Sequence, residues 1–158
     1  MTYNAEFDKD GFRVRRLDAT MLPGVAALEG MCFAEPWSES SLEMLCRDGG
    51  VGFAVLAGDG KSVIAYGGMI TVLDEGQITN IAVHADFRRH GYGGKILGAL
   101  LDFAFGNGLE SVSLEVRESN VAARNLYSSY GFAAVGRRRG FYRNPHEDAL
   151  VMVRRNIH

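Results

Sequence analysis

The sequence predicts an α/β protein built on a mixed sheet, and three observations carry that expectation. Apolar, β-favouring runs over residues 53–57, 62–73 and 77–83 read as strands. Gly58-Asp59-Gly60 and Asp74-Glu75-Gly76 separate these runs, so the first half reads as an antiparallel meander. After Val83 a glycine-dense turn opens a helix with Ile96, Leu97, Leu100, Leu101 and Ala104 on one stripe, closed by Gly106-Asn107-Gly108, and a strand over 111–116 follows. Strand, helix and strand in that order make a parallel crossover, which mixes the sheet.

The remaining elements fall into place around this centre. Residues 12–17 suggest a first strand, in which Phe12 and Val14 alternate with Arg13 and Arg15. Asp18 or Thr20 can cap a helix carrying Met21, Val25, Leu28 and Cys32 at helical spacing, with Pro23 tolerated in its first turn. Pro36-Trp37-Ser38 introduces a second helix: Ser38 caps it, Trp37 can staple onto Leu42, and Leu42, Leu45 and Cys46 share a face until Asp48-Gly49-Gly50. Beyond the crossover, Ser119-Asn120 caps a short helix through Ser129 that Gly131 stops. Residues 132–139 and 149–154, joined through Asn144-Pro145, close the chain as a hairpin. No repeat or linker interrupts this order, so residues 12–158 are expected to form one domain behind a flexible tail, 1–11.

Composition narrows the function classes. Hydrophobic residues make up 47% and charged residues 23% of 158, as in a soluble globular protein, and 17 Lys plus Arg against 19 Asp plus Glu argue against direct nucleic-acid binding. No apolar run approaches ~20 residues and the N-terminus is polar, so a cytoplasmic protein without a membrane span is expected. Cys32 and Cys46 match no metal spacing and read as buried reduced thiols; no ligand cluster for a metal exists. The oligomeric state is not encoded in any pattern of this kind.

The turn after Val83 reads His84-Ala85-Asp86-Phe87-Arg88-Arg89-His90-Gly91-Tyr92-Gly93-Gly94-Lys95. Glycines let the backbone approach a ligand closely, and unpaired N–H groups at a helix start favour an anion, so a phosphate fits. Ile96 stands where a Walker loop needs Ser or Thr, and also where the dinucleotide fingerprint needs its third glycine. Both of those readings fail.

Two side chains suit proton transfer. On the strand 111–116, Val112, Leu114 and Val116 share one face while Ser113, Glu115 and Arg117 share the other. Glu115 either pairs with Arg117 or faces a cleft and handles protons. Tyr127 either packs with Ala123, Leu126 and Tyr130 or, near the carboxyl end of the sheet, protonates a departing thiolate. His84 reads as a surface residue after its strand and His90 as part of the phosphate turn.

Arg88-x-x-Gly91-x-Gly93 is similar to the pyrophosphate turn of the GNAT superfamily of acetyl-coenzyme A dependent N-acetyltransferases. Asn80-Ile81-Ala82-Val83, Leu114-Glu115-Val116-Arg117-x-Ser119-Asn120, Leu126-Tyr127-x-Ser129-x-Gly131-Phe132, His146-Glu147-Asp148-Ala149 and Pro36-Trp37-Ser38-Glu39 extend the likeness from about Phe12 to Val153. Within the superfamily the chain resembles the RimI-type enzymes, which acetylate the N-terminal alanine of a ribosomal protein. The resemblance implies a strongly twisted sheet with helices on both faces, split at its central parallel strands to admit acetyl-CoA. It also implies that the backbone of Ile81, Ala82 and Val83 holds the thioester and pantetheine, that Arg89, His90, Gly91, Tyr92, Gly93 and Gly94 hold the pyrophosphate, and that Asn120 holds the pantetheine arm. Glu115 is then the proton acceptor and Tyr127 the proton donor in a direct transfer without a metal. The implied acceptor is a protein N-terminus with a basic tail, drawn by Glu35, Glu39, Glu147 and Asp148. The chain departs from the pattern at Arg88, where glutamine is common, and in the short segment Tyr142-Arg143-Asn144-Pro145. A small-molecule amine acceptor, or an acyl-CoA-binding module without turnover, are the alternatives.

Overall fold

The computed structural model of the chain describes residues 12–156. The first strand, β1 (Val14–Arg16), leads into α1 (Leu22–Cys32) and α2 (Glu39–Leu42), and α2 tightens into a 3-10 turn, Glu43–Cys46. The meander follows as β2 (Gly50–Leu56), β3 (Val63–Val72) and β4 (Glu75–Val83). Then come α3 (Tyr92–Gly106), β5 (Ser111–Arg117), α4 (Val121–Ser129), β6 (Ala133–Tyr142) and β7 (Glu147–Arg155). The strands form a seven-stranded sheet in the order β1-β2-β3-β4-β5-β7-β6, antiparallel except where β4 meets β5.

Local chemistry sets the helix ends. The Asp18 carboxylate accepts from the Thr20 backbone N–H at 2.9 Å ahead of α1, and Pro23 sits in the first turn. The Ser38 hydroxyl accepts from the Ser41 N–H at 3.1 Å to start α2, and Asn120 Oδ1 accepts from the Ala123 N–H at 3.1 Å to start α4. In the β2–β3 turn, the Ser62 hydroxyl and the backbone N–H groups of Lys61 and Ser62 all donate to Asp59, holding its carboxyl down at about 2.

Helices cover both faces. Ile96, Leu97 and Leu100 of α3 pack on Phe53, Met69, Ile78, Val112 and Leu114 of the sheet, while Val25, Leu28 and Leu42 of α1 and α2 join Leu17, Leu45, Val63 and Tyr66 in a second cluster. Full burial of such a side chain contributes about 1.5–3 kcal/mol.

The feature that positions the site is an irregularity in β4. Gly67 pairs with Ile81 and Met69 with Ile78, so Gly68 alone stands opposite Thr79 and Asn80. This bulge turns Ile78 and Ile81 toward the α3 side and leaves Asn80 facing α1, where it is hydrogen bonded. Parallel pairing between β4 and β5 covers only Glu75–Gln77 against Ser111–Ser113, and past that point the two strands part.

Several boundaries differ from expectation. The chain reverses at Leu73 and Asp74, and Glu75 and Gly76 already pair on both sides, with β3 and with β5. The sixth strand runs on past 139 because pairing resumes at Tyr142 opposite Glu147 after a shift of register. Cys46 is exposed and Cys32 half-buried, both as free thiols, because the switch to a 3-10 turn rotates Cys46 off the face that Leu42 and Leu45 share. The expected tail, 1–11, lies outside the described residues.

Two glycines test the packing with opposite signs. A Cβ on Gly67 would sit 2.5 Å from Ile96 Cγ2 and 3.1 Å from Leu100 Cδ1, so Gly67→Ala pushes α3 off the sheet. It should cost about 1–3 kcal/mol. Gly30, in α1, has nothing within 4 Å of that position, so Gly30→Ala should gain about 0.5–1 kcal/mol from backbone entropy alone. Thermal melting of both variants against the parent measures the signs; a melting point unchanged by Gly67→Ala contradicts the close α3 contact.

Candidate active site

Where β4 and β5 separate, a cavity of about 650 Å³ opens on the α1 side of the sheet. Its floor is β4, through Gln77, Ile78, Thr79 and Asn80, with Glu115 and Arg117 of β5. Phe33, Glu35 and Trp37, in the connection after α1, form one wall, and Arg138, Phe141, Tyr142 and Pro145 of the β6–β7 hairpin form the other.

Glu115 faces this cavity, and its side chain is only 14% exposed. Its partner is not Arg117, the pairing weighed from sequence. Arg138 Nε lies 3.5 Å from Glu115 Oε1, while Arg117 lies 3.3 Å from Glu147 and donates to the carbonyls of Arg143 and Pro145, each at 2.9 Å. Residues two apart on one strand face are too far apart to compete with partners across the sheet, and β7 brings both the Glu147 loop and the β6 arginine within reach.

Tyr127 is buried, its ring 5.8 Å from that of Phe132. Burial and then the neighbouring Tyr142 push its phenol up to about 12. Tyr142 lines the cavity, lies under the Arg117 guanidinium at 4.3 Å, and is itself pushed up to about 12, first by burial and next by Glu115. The ring of Tyr127 belongs to the core, and its phenol, held this high, stays protonated at neutral pH.

On the other side of the opening, the turn before α3 has the geometry of an anion cradle. Gly91 takes φ +83°, and no atom lies within 4 Å of where its Cβ would be; Arg89 also adopts positive φ, 67°. Tyr92, Gly93 and Gly94 form the first turn of α3, a helix of 15 residues, with N–H groups toward the opening of the turn. Arg89 and His90 are exposed beside it, whereas the Tyr92 side chain is buried and serves the core. Arg88 folds back, its Nε donating to the Val83 carbonyl at 3.2 Å, and the Cys32 thiol lies 3.6 Å from the same oxygen. That carbonyl, expected to meet the pantetheine, is thus already engaged. Ile81 and Ala82 lie along the part of β4 that lacks a β5 partner. Asn120 uses its Oδ1 to cap α4, which leaves its amide N–H groups for a ligand.

The acidic wall expected for a basic tail is smaller than the sequence suggests. Glu147 accepts from the Ser119 N–H and from Arg117, and hydrogen bonding by Ser119 holds its carboxyl below the ordinary range; Asp148 accepts from the Gly140 N–H at 2.8 Å. Glu35 faces the cavity and Glu39 is exposed in the first turn of α2. His84 caps the short turn after β4 through Nδ1. Among the described residues no group of three His, Cys, Asp or Glu side chains could hold a metal.

The sequence reading missed two residues here. Tyr142 carries no spacing signal, because its place depends on the shifted register of β6. Glu29 does carry one: it sits at the fourth position after Val25 in the stripe Val25, Leu28, Cys32, so a carboxyl occupies a core face. It is fully buried.

The raised phenols make an alkaline prediction. Tyr127 and Tyr142 ionise near 10.0 when unfolded and at about 12 when folded, so the folded state holds its protons longer. Their contribution to stability is complete below pH 10.0 and is lost as the pH rises toward about 12. The Tyr127 share is on the order of 3 kcal/mol. Melting points measured across this range should fall more gently for Tyr127→Phe than for the parent; parallel curves would show that burial does not govern this phenol.

Comparison with known proteins agrees with this geometry. Residues 22–132 match the Acetyltransferase (GNAT) family. The [ribosomal protein bS18]-alanine N-acetyltransferase of Salmonella typhimurium is 37% identical over 139 residues, 87% of this chain and 93% of that one. Its Escherichia coli K12 counterpart is 36% identical over 142 residues, 89% and 95% of the two chains. The crystal structure of the ribosomal-protein-S18-alanine N-acetyltransferase from Escherichia coli superposes with a TM-score of 0.82 at 33% identity, covering 90% of this chain and 92% of that one. A split mixed sheet, a glycine turn at the opened strand and similarity over nearly the whole length of these enzymes lead to one conclusion: the chain belongs to the GNAT family of acetyltransferases.

Proposed function

We propose that the protein transfers the acetyl group of acetyl-CoA to the α-amine of a protein that begins with alanine, the counterpart of ribosomal protein bS18. The observation that carries this reading is the meeting of two half-sites across the β4–β5 opening: the turn at Gly91 on one side, and on the other a cavity of about 650 Å³ with Glu115 in its floor. Relatives named for this activity, matched over nearly their whole length, support the acceptor assignment.

Acetyl-CoA supplies the activated acetyl thioester, and the chain supplies everything that binds, orients and moves protons. The backbone of Ile81 and Ala82 and the Val83 amide border the thioester and pantetheine, the Asn120 amide holds the pantetheine arm, and Arg89 with the N–H groups from His90 to Gly94 holds the pyrophosphate. Glu115 takes the proton of the incoming α-amine through a water molecule, with Arg138 fixing the direction of its carboxyl. As the amine nitrogen bonds the acetyl carbon, an unpaired β4 N–H receives the charge developing on the carbonyl oxygen. The carbon–sulfur bond then breaks, and Tyr127 gives its proton to the sulfur.

The test is an acetylation assay with mass spectrometry on the product. A peptide beginning with alanine and followed by arginines should gain one acetyl group at its N-terminus and none on lysine. Only Glu35 and Glu39 remain to attract its charges, so rising salt should weaken the reaction modestly. Preferred reaction with spermidine or lysine side chains would move the acceptor to small amines, and absence of free coenzyme A with every amine would make the chain a binding module. Tyr127→Phe should lower turnover by roughly 10²-fold without unfolding the protein. Glu115→Gln should be partly rescued at high pH, where the amine is already deprotonated; a pH profile parallel to that of the parent would remove Glu115 from the base role.

A further inference from the structure

A buried carboxyl sits behind the acceptor cavity, outside the groups that handle protons. Glu29 is 0% exposed, in the middle of the α1 face that packs on the sheet. A carboxyl in such a place needs donors, and three converge on it. The Tyr66 hydroxyl and the Asn80 amide both donate to Oε1, Asn80 at 2.8 Å, and the Trp37 backbone N–H donates to Oε2 at 3.0 Å.

Each donor belongs to a different part of the molecule. Tyr66, in β3, is fully buried, whereas Asn80 lies in the β4 bulge on the cavity floor and Trp37 stands in the cavity wall, just before the Ser38 cap. Six residues separate the last residue of α1 from the first of α2, and the Trp37 N–H anchors this connection to Glu29. The carboxyl therefore sets the distance between floor and wall. If the Trp37 loop moves, Glu29, which is fully buried, loses a donor to one of its oxygens.

We propose that Glu29 is a positioning residue for the acceptor: by clamping Trp37 and Asn80 to one carboxyl, it fixes the width of the groove that receives the substrate's first residues. This rests on the reading that the acceptor enters by this cavity. Glu29 does not touch the acetyl-CoA side, where the turn at Gly91 and the first turn of α3 are built from other elements. Its effect should consequently be selective for the acceptor.

Glu29→Gln tests this with the smallest change of shape. An amide has one accepting oxygen and one donating nitrogen, so it cannot accept from all three donors, and the one facing its NH₂ group must turn away. Trp37 is the only tryptophan in the chain, so its emission reports on this loop alone. In the folded variant, emission should shift to the red and become more open to quenching. The KM for an alanine-first peptide should rise about tenfold while the KM for acetyl-CoA stays within about twofold. Asn80→Ala, which removes one arm from the cavity side and leaves the carboxyl in place, should repeat the selective rise and serves if Glu29→Gln does not fold. Unchanged tryptophan emission, or a lower melting point with both KM values as in the parent, would overturn the proposal and leave Glu29 a purely structural group. If the parent itself ignores alanine-first peptides, the acceptor assignment fails. The emission of Glu29→Gln still decides the clamp.

Discussion

After Gln77 has paired with Ser113, the ladder between β4 and β5 ends, and the proposed site lies along that gap. Separating two central parallel strands is costly, because each buried backbone group left without a partner forfeits about 1–3 kcal/mol. The strand survives the loss because its other edge stays paired with β3 on both sides of the bulge, and because side chains take over where the ladder stops. Asn80 is tied to α1 through Glu29, and the Val83 carbonyl is closed by Cys32 and Arg88. The bulge at Thr79 and Asn80 then aims successive side chains away from strict alternation, so that one short stretch serves the α3 core and the cavity together.

Two ion-rich clamps hold the cavity walls, one from each half of the chain. Glu29 gathers the wall after α1. Arg117 does the corresponding work on the C-terminal side: its guanidinium donates to the Arg143 and Pro145 carbonyls, meets Glu147 and covers the Tyr142 ring. Glu147 in turn accepts from the Ser119 N–H, next to the Asn120 cap of α4. The β6–β7 loop, the end of β5 and the start of α4 are consequently one hydrogen-bonded unit, and Tyr142 reaches toward Glu115 and Tyr127 as part of it. Wherever a guanidinium makes several bonds to carbonyls at once, lysine is a poor replacement, since it lacks the planar fork.

How much of this is legible in the sequence depends on how local the cause is. The strands, the crossover and the caps at Asp18, Ser38 and Asn120 follow from short-range rules, and the turn at Gly91 announces itself by glycine and charge within a few residues. Glu115 is identifiable as a carboxyl on the open face of its strand. Its partner is not, because Arg138 reaches it across β7, and no pattern near Glu115 encodes that insertion of β7 between β5 and β6. Tyr142 escapes for the same reason: a register shift near the end of β6 decides where it points. Glu29 is a different case, since an acidic residue in an apolar helical stripe is visible without coordinates. What remains invisible is the company it keeps, at Trp37, Tyr66 and Asn80, which are 8, 37 and 51 residues away.

The two walls of the cavity come from the connection after α1 and from the β6–β7 hairpin, while the donor side is built from β4, its glycine turn and α3. The glycine turn shares no residue with either wall, whereas the hairpin is tied through Glu147 to Ser119, beside Asn120. Under the proposed function, the connection after α1 is thus the wall that can vary with the acceptor at least disturbance to the glycine turn.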